Sequence, residues 1–384
     1  MNTGPWIDHF ADNFLWSNAT LILKGMAPYG VVALEEIDRA CEKLRPRQGD
    51  PDAWPEVWRE LGAQIEAVAD AAQAKGHKLT AGDYYLRAGI YHYNAERFIT
   101  PGPEKRAQGQ KAYHCWHTGI RLREPMIEFV EVPYEGITLP GLFMKAFPDD
   151  RPAPTVVVVN GMDNAKEMSI FFAGREFARR GFNTLSLDGP GMGETRRMRG
   201  VPSRYDYEVP GTAAFDFLAK RKNVDAKRIA IMGYSFGGYY SSRIAAFEKR
   251  YAACIALSAL HWDLAGWQEM IRQKNASSPK TVAQSNFQFR WVVGAETQEE
   301  GIAIAKKFTL KDVAQHITCP FLVTHGGNDR VVPVENAHKL YDAVGSKNKT
   351  IKIFTTAEGG AQHAHVDNRQ VGIDFAADWL EDNM

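Results

Sequence analysis

Arg228-Ile-Ala-Ile-Met-Gly233-Tyr-Ser235-Phe-Gly237-Gly-Tyr239 is the stretch whose reading decides the fold. Ile229 to Met232 is a short apolar run of buried-strand character. It leads into Gly233-Tyr-Ser235-Phe-Gly237, a G-x-S-x-G pattern, and the small-residue segment Tyr239 to Phe247 that follows has helical character. Strand, tight turn and helix form the context in which this pattern raises a serine on a strained elbow. Side chains at 233 and 237 would collide with the neighbouring strand or helix, so glycine is required there. Ser235 is then a candidate nucleophile. The helix N-terminus behind it offers N–H groups and partial positive charge to a developing oxyanion. The bland alternative is an ordinary strand-to-helix turn, since glycines at short spacing recur by chance in a chain with 33 of them.

A serine nucleophile needs a base, and the base needs an orienting carboxylate. On a parallel sheet such groups gather at the carboxyl ends of strands, in the chain order Ser, Asp or Glu, His. The apolar run Phe321 to Thr324 ends in His325-Gly-Gly-Asn-Asp329, and Ile351 to Thr355 ends in Glu358-Gly-Gly-Ala-Gln-His363-Ala-His365. Asp329 and His363 are therefore the candidate carboxylate and base. His365 competes with His363, but the last helix is expected to begin near Val366 or Asp367, which makes His365 a capping or packing residue. His325 is read as positioning the Asp329 loop. His363-Ala-His365-Val-Asp367 also has the look of a metal cluster, but the serine reading uses its first histidine. No metal or cofactor is expected.

The oxyanion donors expected are the backbone N–H of Phe236, which follows the nucleophile, and that of Met162, in the loop after the strand Thr155 to Val159. Asp188-Gly-Pro-Gly-Met-Gly-Glu194 lacks the Gly-Lys-Ser/Thr ending of a P-loop. It reads as a close-packed turn at the sheet edge, with Glu194 able to face a pocket.

Further strand candidates are Asn183 to Leu187 and Cys254 to Ala259, and Met126 to Phe147 reads as two strands around a turn at Glu135-Gly136. Helical segments such as Met168 to Arg180 and Val209 to Lys220 alternate with them, the pattern of a mostly parallel sheet covered on both faces. Residues 1–125 are helical in pattern: Val31 to Leu44, Ala53 to Ala72, Thr80 to Phe98 with Thr80 as its cap, and Gln110 to Leu122. The domains expected are a helical cap at 1–125 and a catalytic domain at 126–384 with a lid insertion near 261–316. Trp262 lies in that insertion as a pocket candidate. The tyrosines Tyr84, Tyr85, Tyr91 and Tyr93, with Trp116, could face an aromatic substrate, but a stripe at helical spacing is more often core.

Composition sets limits on partners. Lys+Arg and Asp+Glu number 46 each, so the formal net charge is zero. That argues against nucleic acid or an anionic membrane as the main partner. The four cysteines are scattered, which suits a reducing, cytoplasmic compartment. Cys254 and Cys319 fall in apolar runs and are expected to be buried. The N-terminus lacks the basic start and apolar run of a signal peptide, and no stretch has the apolar length of a membrane span.

Taken together, these residues resemble the α/β-hydrolase superfamily. More narrowly, Tyr84-Tyr-Leu-Arg-Ala88, Asp188-Gly-Pro-Gly-x-Gly-Glu194, Gly233-x-Ser235-x-Gly-Gly238 and Glu358-Gly-Gly-Ala-x-His363 resemble the branch with a helical N-terminal domain that contains 2,6-dihydroxypseudooxynicotine hydrolase and fungal polyketide-shortening hydrolases. The resemblance implies hydrolysis of a carbon–carbon bond next to a ketone in an aromatic or polyketide-like small molecule. It also implies an accessory acid in the lid, for which Glu269 is the candidate by position, and a homodimer. The rivals are a carboxylesterase for a hydrophobic ester, an acyltransferase, and a non-catalytic ligand-binding member of the fold.

Overall fold

The computed structural model describes residues 6–11, 13–259, 262–276 and 287–384, with the backbone alone for 271–276. The chain divides into two units, Met1–Ile127 with Met270–Trp291, and Glu128–Glu269 with Val292–Met384.

The first unit is helical: α1 (Phe14–Lys24), α2 (Leu34–Leu44), α3 (Ala53–Ala74), α4 (Lys78–Glu96) and α5 (Pro103–Arg123). Ile37, Ala40, Cys41 and Leu44 recur at helical spacing on α2 and are all buried, as a core-facing stripe requires. Trp54 and Trp58 of α3 lie 5.5 Å apart at their ring centroids, with Trp16 5.3 Å from Trp54. Of the tyrosine stripe, Tyr85, Tyr91 and Tyr93 belong to this core, while Tyr84 is half-buried. Tyr91 is fully buried with its hydroxyl on Glu36 at 2.6 Å, and Tyr93 packs on buried Trp116 at 5.0 Å. Thr80 is not the cap of α4. The helix starts at Lys78, and the Ala81 N–H already bonds the His77 carbonyl at 2.9 Å, so Thr80 lies inside the first turn.

The second unit is built on an eight-stranded sheet in the order β1-β2-β4-β3-β5-β6-β7-β8. The strands are β1 (Ile127–Tyr134), β2 (Ile137–Met144), β3 (Ala153–Val159), β4 (Asn183–Leu187), β5 (Val224–Tyr234), β6 (Ala253–Leu257), β7 (Phe321–Gly326) and β8 (Lys349–Phe354). β2 runs antiparallel to β4, and the pairs from β4 through β8 are parallel. Val156, Val157 and Val158 of β3 are all fully buried, the continuous apolar run of a strand covered on both faces. Each such side chain contributes about 1.5–3 kcal/mol on burial.

The segment expected as one helix from Met168 to Arg180 is α6 (Lys166–Ser169), a π turn at Ile170–Gly174, and α7 (Arg175–Arg179). Next come α8 (Gly193–Arg197), α9 (Glu208–Leu218), α10 (Phe236–Phe247) and α11 (Leu264–Ala276). The strand expected to reach Ala259 ends at Leu257, because Ser258 turns to φ 46°. In the stretch read as a lid, the described residues form α11 and the helices Phe287–Val293 and Gln298–Ala305, while 260–261 and 277–286 lie outside the described residues. Cys319 is half-buried, unlike the fully enclosed Cys254, because it sits in the turn before β7 and not in a strand. No described helix is long and apolar enough to cross a membrane.

Candidate active site

β5 ends at Tyr234, α10 begins at Phe236, and Ser235 between them holds φ 57° and ψ −120°. That conformation costs a residue with a side chain on the order of 1–3 kcal/mol. The surroundings enforce it. The Ser235 N–H donates to the Leu257 carbonyl at 2.8 Å, and the Gly238 N–H to the Ser235 carbonyl at 2.9 Å. A Cβ at Gly233 would lie 1.8 Å from the Gly237 carbonyl oxygen, and one at Gly237 2.3 Å from that of Val159. Both glycines are required by close backbone approach.

Three polar side chains line up from this turn. His363 Nε2 is 2.8 Å from Ser235 Oγ, and His363 Nδ1 is 2.7 Å from Asp329 Oδ2. A carboxylate only accepts, so Nδ1 carries the ring proton and Nε2 presents its lone pair to the serine hydroxyl. Asp329 Oδ1 accepts the N–H groups of Val331 and Val332, each at 2.8 Å. Burial would by itself raise Asp329. The neighbouring His363, with its hydrogen bond, and His325 outweigh burial and hold the carboxyl below its usual value. His325 Nε2 donates to the Val332 carbonyl at 3.1 Å and stands 3.4 Å from Asp329 Oδ2, so it braces the turn that carries the carboxylate.

The loop around His363 is equally constrained. Ala364 and His365 have φ of 49° and 56°. The Ala364 N–H donates to Ser258 Oγ at 2.9 Å, and Asp367 accepts the N–H groups of Ala361 and Gln362. His365 turns both ring nitrogens to other partners. Its Nδ1 donates to the Gly360 carbonyl at 2.7 Å, and its Nε2 accepts from Thr324 Oγ1 at 2.8 Å. Burial pushes it down to about 4. The donors of the His-x-His-x-Asp run are thus spent on separate protein partners and do not converge.

Phe236 is the first residue of α10, so its N–H lies at a helix N-terminus. Met162 is half-buried in the loop after β3. A Cβ on its neighbour Gly161 would sit 3.2 Å from both Ser235 Cβ and the Tyr234 carbonyl oxygen, so this loop presses on the elbow. Trp267 of α11 donates its indole N–H to the Val331 carbonyl at 2.8 Å, two residues past Asp329. Glu269, half-buried, lies on the same helix. Trp262 is half-buried, with its carbonyl accepting from Thr309 Oγ1. Glu194 pairs with Lys166 Nζ at 2.6 Å. Lys166, Asn160 and Ser169 are polar residues beside the site that the sequence reading passed over. Their only signal was position, just beyond the strand that carries the Met162 loop.

A second His-carboxylate cluster exists in the helical unit. Glu66, His92 and Cys115 place a carboxylate oxygen, a ring nitrogen and a thiol within 4.8 Å of one another. Gln108 Nε2 donates to His92 Nδ1 at 3.0 Å and to the His92 carbonyl at 3.1 Å, while its Oε1 accepts from Arg59. His92 Nδ1 therefore accepts, and Nε2 carries the proton that it gives to Glu66 at 3.1 Å. A metal would need a lone pair on Nε2, the nitrogen that here carries the proton, so the hydrogen-bonding pattern does not suit a metal ligand. The cluster reads as a closed tie between helices.

Comparisons with known proteins agree with the fold. The prolyl oligopeptidase family model matches residues 211–384. Hydrolase LUC6 of Fusarium sp is 30% identical, over 90% of this chain and 91% of its own length. The 20-hydroxy-prefusarin hydrolase FUS2 of Gibberella moniliformis is 28% identical, over 97% of both chains. Among solved structures, 2,6-dihydroxy-pseudo-oxynicotine hydrolase superposes with a TM-score of 0.77 at 24% identity, covering 94% of this chain and 95% of its own. With the parallel sheet and the strand-turn-helix at Ser235, these likenesses carry the conclusion that the chain belongs to the α/β-hydrolase family of enzymes.

Proposed function

We propose that the chain is a cofactor-independent serine hydrolase that cleaves a carbon–carbon bond next to a ketone in an aromatic or polyketide-like small molecule. The observation that carries the serine chemistry is the pair of contacts made by His363, with Nε2 at 2.8 Å from Ser235 Oγ and Nδ1 at 2.7 Å from Asp329. His363 takes the Ser235 proton as Oγ bonds to the ketone carbon, and Asp329 stabilises the imidazolium that forms. The tetrahedral oxyanion is held by the N–H groups of Phe236 and Met162. Collapse breaks the carbon–carbon bond. Its electron pair leaves on a carbon stabilised by a ring or second carbonyl, which takes the proton back from His363, directly or relayed through Glu269, so that His363 is again neutral. Water, deprotonated by His363, then attacks the acyl-Ser235 ester. The products are a carboxylic acid and the protonated carbon fragment, so one water is consumed per bond broken.

The substrate class is supported by the relatives. One is named as a hydrolase of 20-hydroxy-prefusarin, and 2,6-dihydroxy-pseudo-oxynicotine hydrolase shares the fold. The test compares two substrates on wild type and Ser235→Ala: an activated aryl ester, and an aryl 1,3-diketone whose cleavage releases a stabilised carbanion. Diketone cleavage that requires Ser235 is expected. Ester cleavage with an inert diketone would keep the serine mechanism and discard the carbon–carbon assignment. Turnover by Ser235→Ala would discard both.

A further inference from the structure

The Asp188-Gly-Pro-Gly-Met-Gly-Glu194 motif takes no direct part in the chemistry above, yet its first residue bonds both ends of the Met162 loop. Asp188 is fully buried at the end of β4. Its Oδ1 accepts the Asn160 side-chain amide at 2.7 Å and the Lys166 N–H at 2.8 Å. Both ends of the 160–166 loop are therefore held by one carboxylate oxygen. Its Oδ2 accepts the Glu194 N–H at 2.8 Å. Gly193 makes this wrap possible. Its φ is +38°, and a Cβ there would lie 2.1–2.3 Å from the Asp188 carboxylate atoms.

The middle of the loop is tied to the nucleophile's neighbour. Asn164 Nδ2 donates to the Tyr234 hydroxyl at 3.1 Å. Ser169 Oγ donates to Asn160 Oδ1 at 2.5 Å and lies 2.8 Å from the same Tyr234 hydroxyl. An unpaired buried carboxylate is untenable, and charges inside proteins are paired. Lys166, itself buried, supplies the cation. Its Nζ is 2.6 Å from Glu167, 2.6 Å from Glu194 and 3.4 Å from Asp188.

From these contacts we infer that Asp188, with Lys166 as its counter-ion, is a positioning residue that fixes the Met162 N–H where the oxyanion forms. This rests on the Ser235 reading above. Asp188 acts through the loop and does not touch the substrate. Losing an oxyanion donor outright lowers kcat by about 10²–10³. Displacing one is expected to lower it by about 10–100-fold.

The test is Asp188→Asn, which keeps the size but turns an amide NH₂ toward N–H donors. It is assayed with an activated aryl ester and with an aryl trifluoromethyl ketone, which forms a tetrahedral adduct on a serine nucleophile. Expected are a kcat loss of about 10–100-fold, a Ki for the ketone raised by a similar factor, and a KM within about threefold of wild type. A merely structural role would lower thermal stability and leave kcat and Ki alone. Wild-type kcat and Ki in folded Asp188→Asn would overturn the inference, as would a rise in KM alone. If Asp188→Asn does not fold, Ser169→Ala decides. It loosens the same network, and parallel losses in kcat and ketone affinity of about three- to tenfold are expected, whereas unchanged values overturn the inference. Ser235→Ala run beside them separates the two readings. An active Ser235→Ala removes the serine mechanism, while an inert Ser235→Ala beside an unaltered Asp188→Asn removes only the positioning role.

Discussion

Two imidazole-carboxylate pairs sit in the two units of this chain, and they differ in how the ring nitrogens are used. In the helical unit, His92 gives its proton to Glu66 and takes one from Gln108, so both nitrogens are occupied. Burial, with Glu66 beside it, raises the nearby Cys115 thiol so that it stays protonated. A Cβ at Gly62 would come within 2.7 Å of the His92 ring, which leaves no space beside it. In the sheet unit, His363 gives its proton to Asp329 and turns its free lone pair toward a hydroxyl, with its side chain 12% exposed. A nucleophile, a histidine and an acid in proximity are therefore not enough. The base must connect the other two, one through each nitrogen, and a reactant must be able to arrive.

The largest expected effect breaks this contrast if it fails. Ser235→Ala should lower kcat for the ester by on the order of 10⁴–10⁶-fold, whereas Cys115→Ala should leave kcat/KM within about twofold. Equal losses in the two variants, measured by steady-state hydrolysis, would mean that the helical cluster also takes part in chemistry. Asp329→Asn comes next. The amide cannot stabilise the imidazolium or hold the same tautomer, and about 10⁴-fold in kcat is expected to go. Glu66→Gln, the matching change in the other pair, should leave turnover untouched.

The contrast sharpens when stability is read in place of activity. His92→Ala removes a buried ring and strands Glu66 and Gln108, which should cost about 2–4 kcal/mol in the urea unfolding of the helical unit. His363→Ala opens a partly exposed site and should cost less than about 1 kcal/mol. A reversed order would mean that His92 is not the structural member of the two.

What could be read from the sequence was what depends on neighbours along the chain. The Gly233-x-Ser235-x-Gly237 turn is local, and apolar runs read as ending at Thr324 and Thr355 point to the Asp329 and His363 loops once the parallel sheet is assumed. The choice of His363 over His365 could rest only on proximity to the final helix. Its physical reason, the hold of Thr324 and Gly360 on His365, is a matter of three dimensions. The Asp188 clamp was out of reach because Lys166 meets its partners Asp188 and Glu194 across 22 and 28 residues. The His92 cluster was hidden likewise, its members lying on three different helices. Thr80 shows the opposite failure. A cap-like residue before an apolar pattern is a sound local signal, but the helix had already begun at Lys78.

The smallest effect concerns pH and the histidine that stands beside the site without entering it. His365 is fully buried and held down to about 4 by burial, while an unfolded chain protonates a histidine near 6.5. Between these values the unfolded state binds the proton and the folded state does not. The contribution of His365 is therefore complete above about pH 6.5 and is lost as the pH falls toward 4, by at most about 3 kcal/mol. Asp188 works in the opposite sense, since burial, resisted by Lys166, pushes it up to about 6 and favours the folded state in acid. A bare pH profile would mix the two. The difference between wild type and His365→Gln isolates the histidine. Hydrogen exchange of the β7 amides at pH 7.5, 6 and 5 should show the wild-type advantage shrinking with each step down. A constant difference across that range would mean that His365 accepts a proton inside the fold. The distinction between a histidine packed beside the site and one poised to take a proton would then no longer separate it from His363.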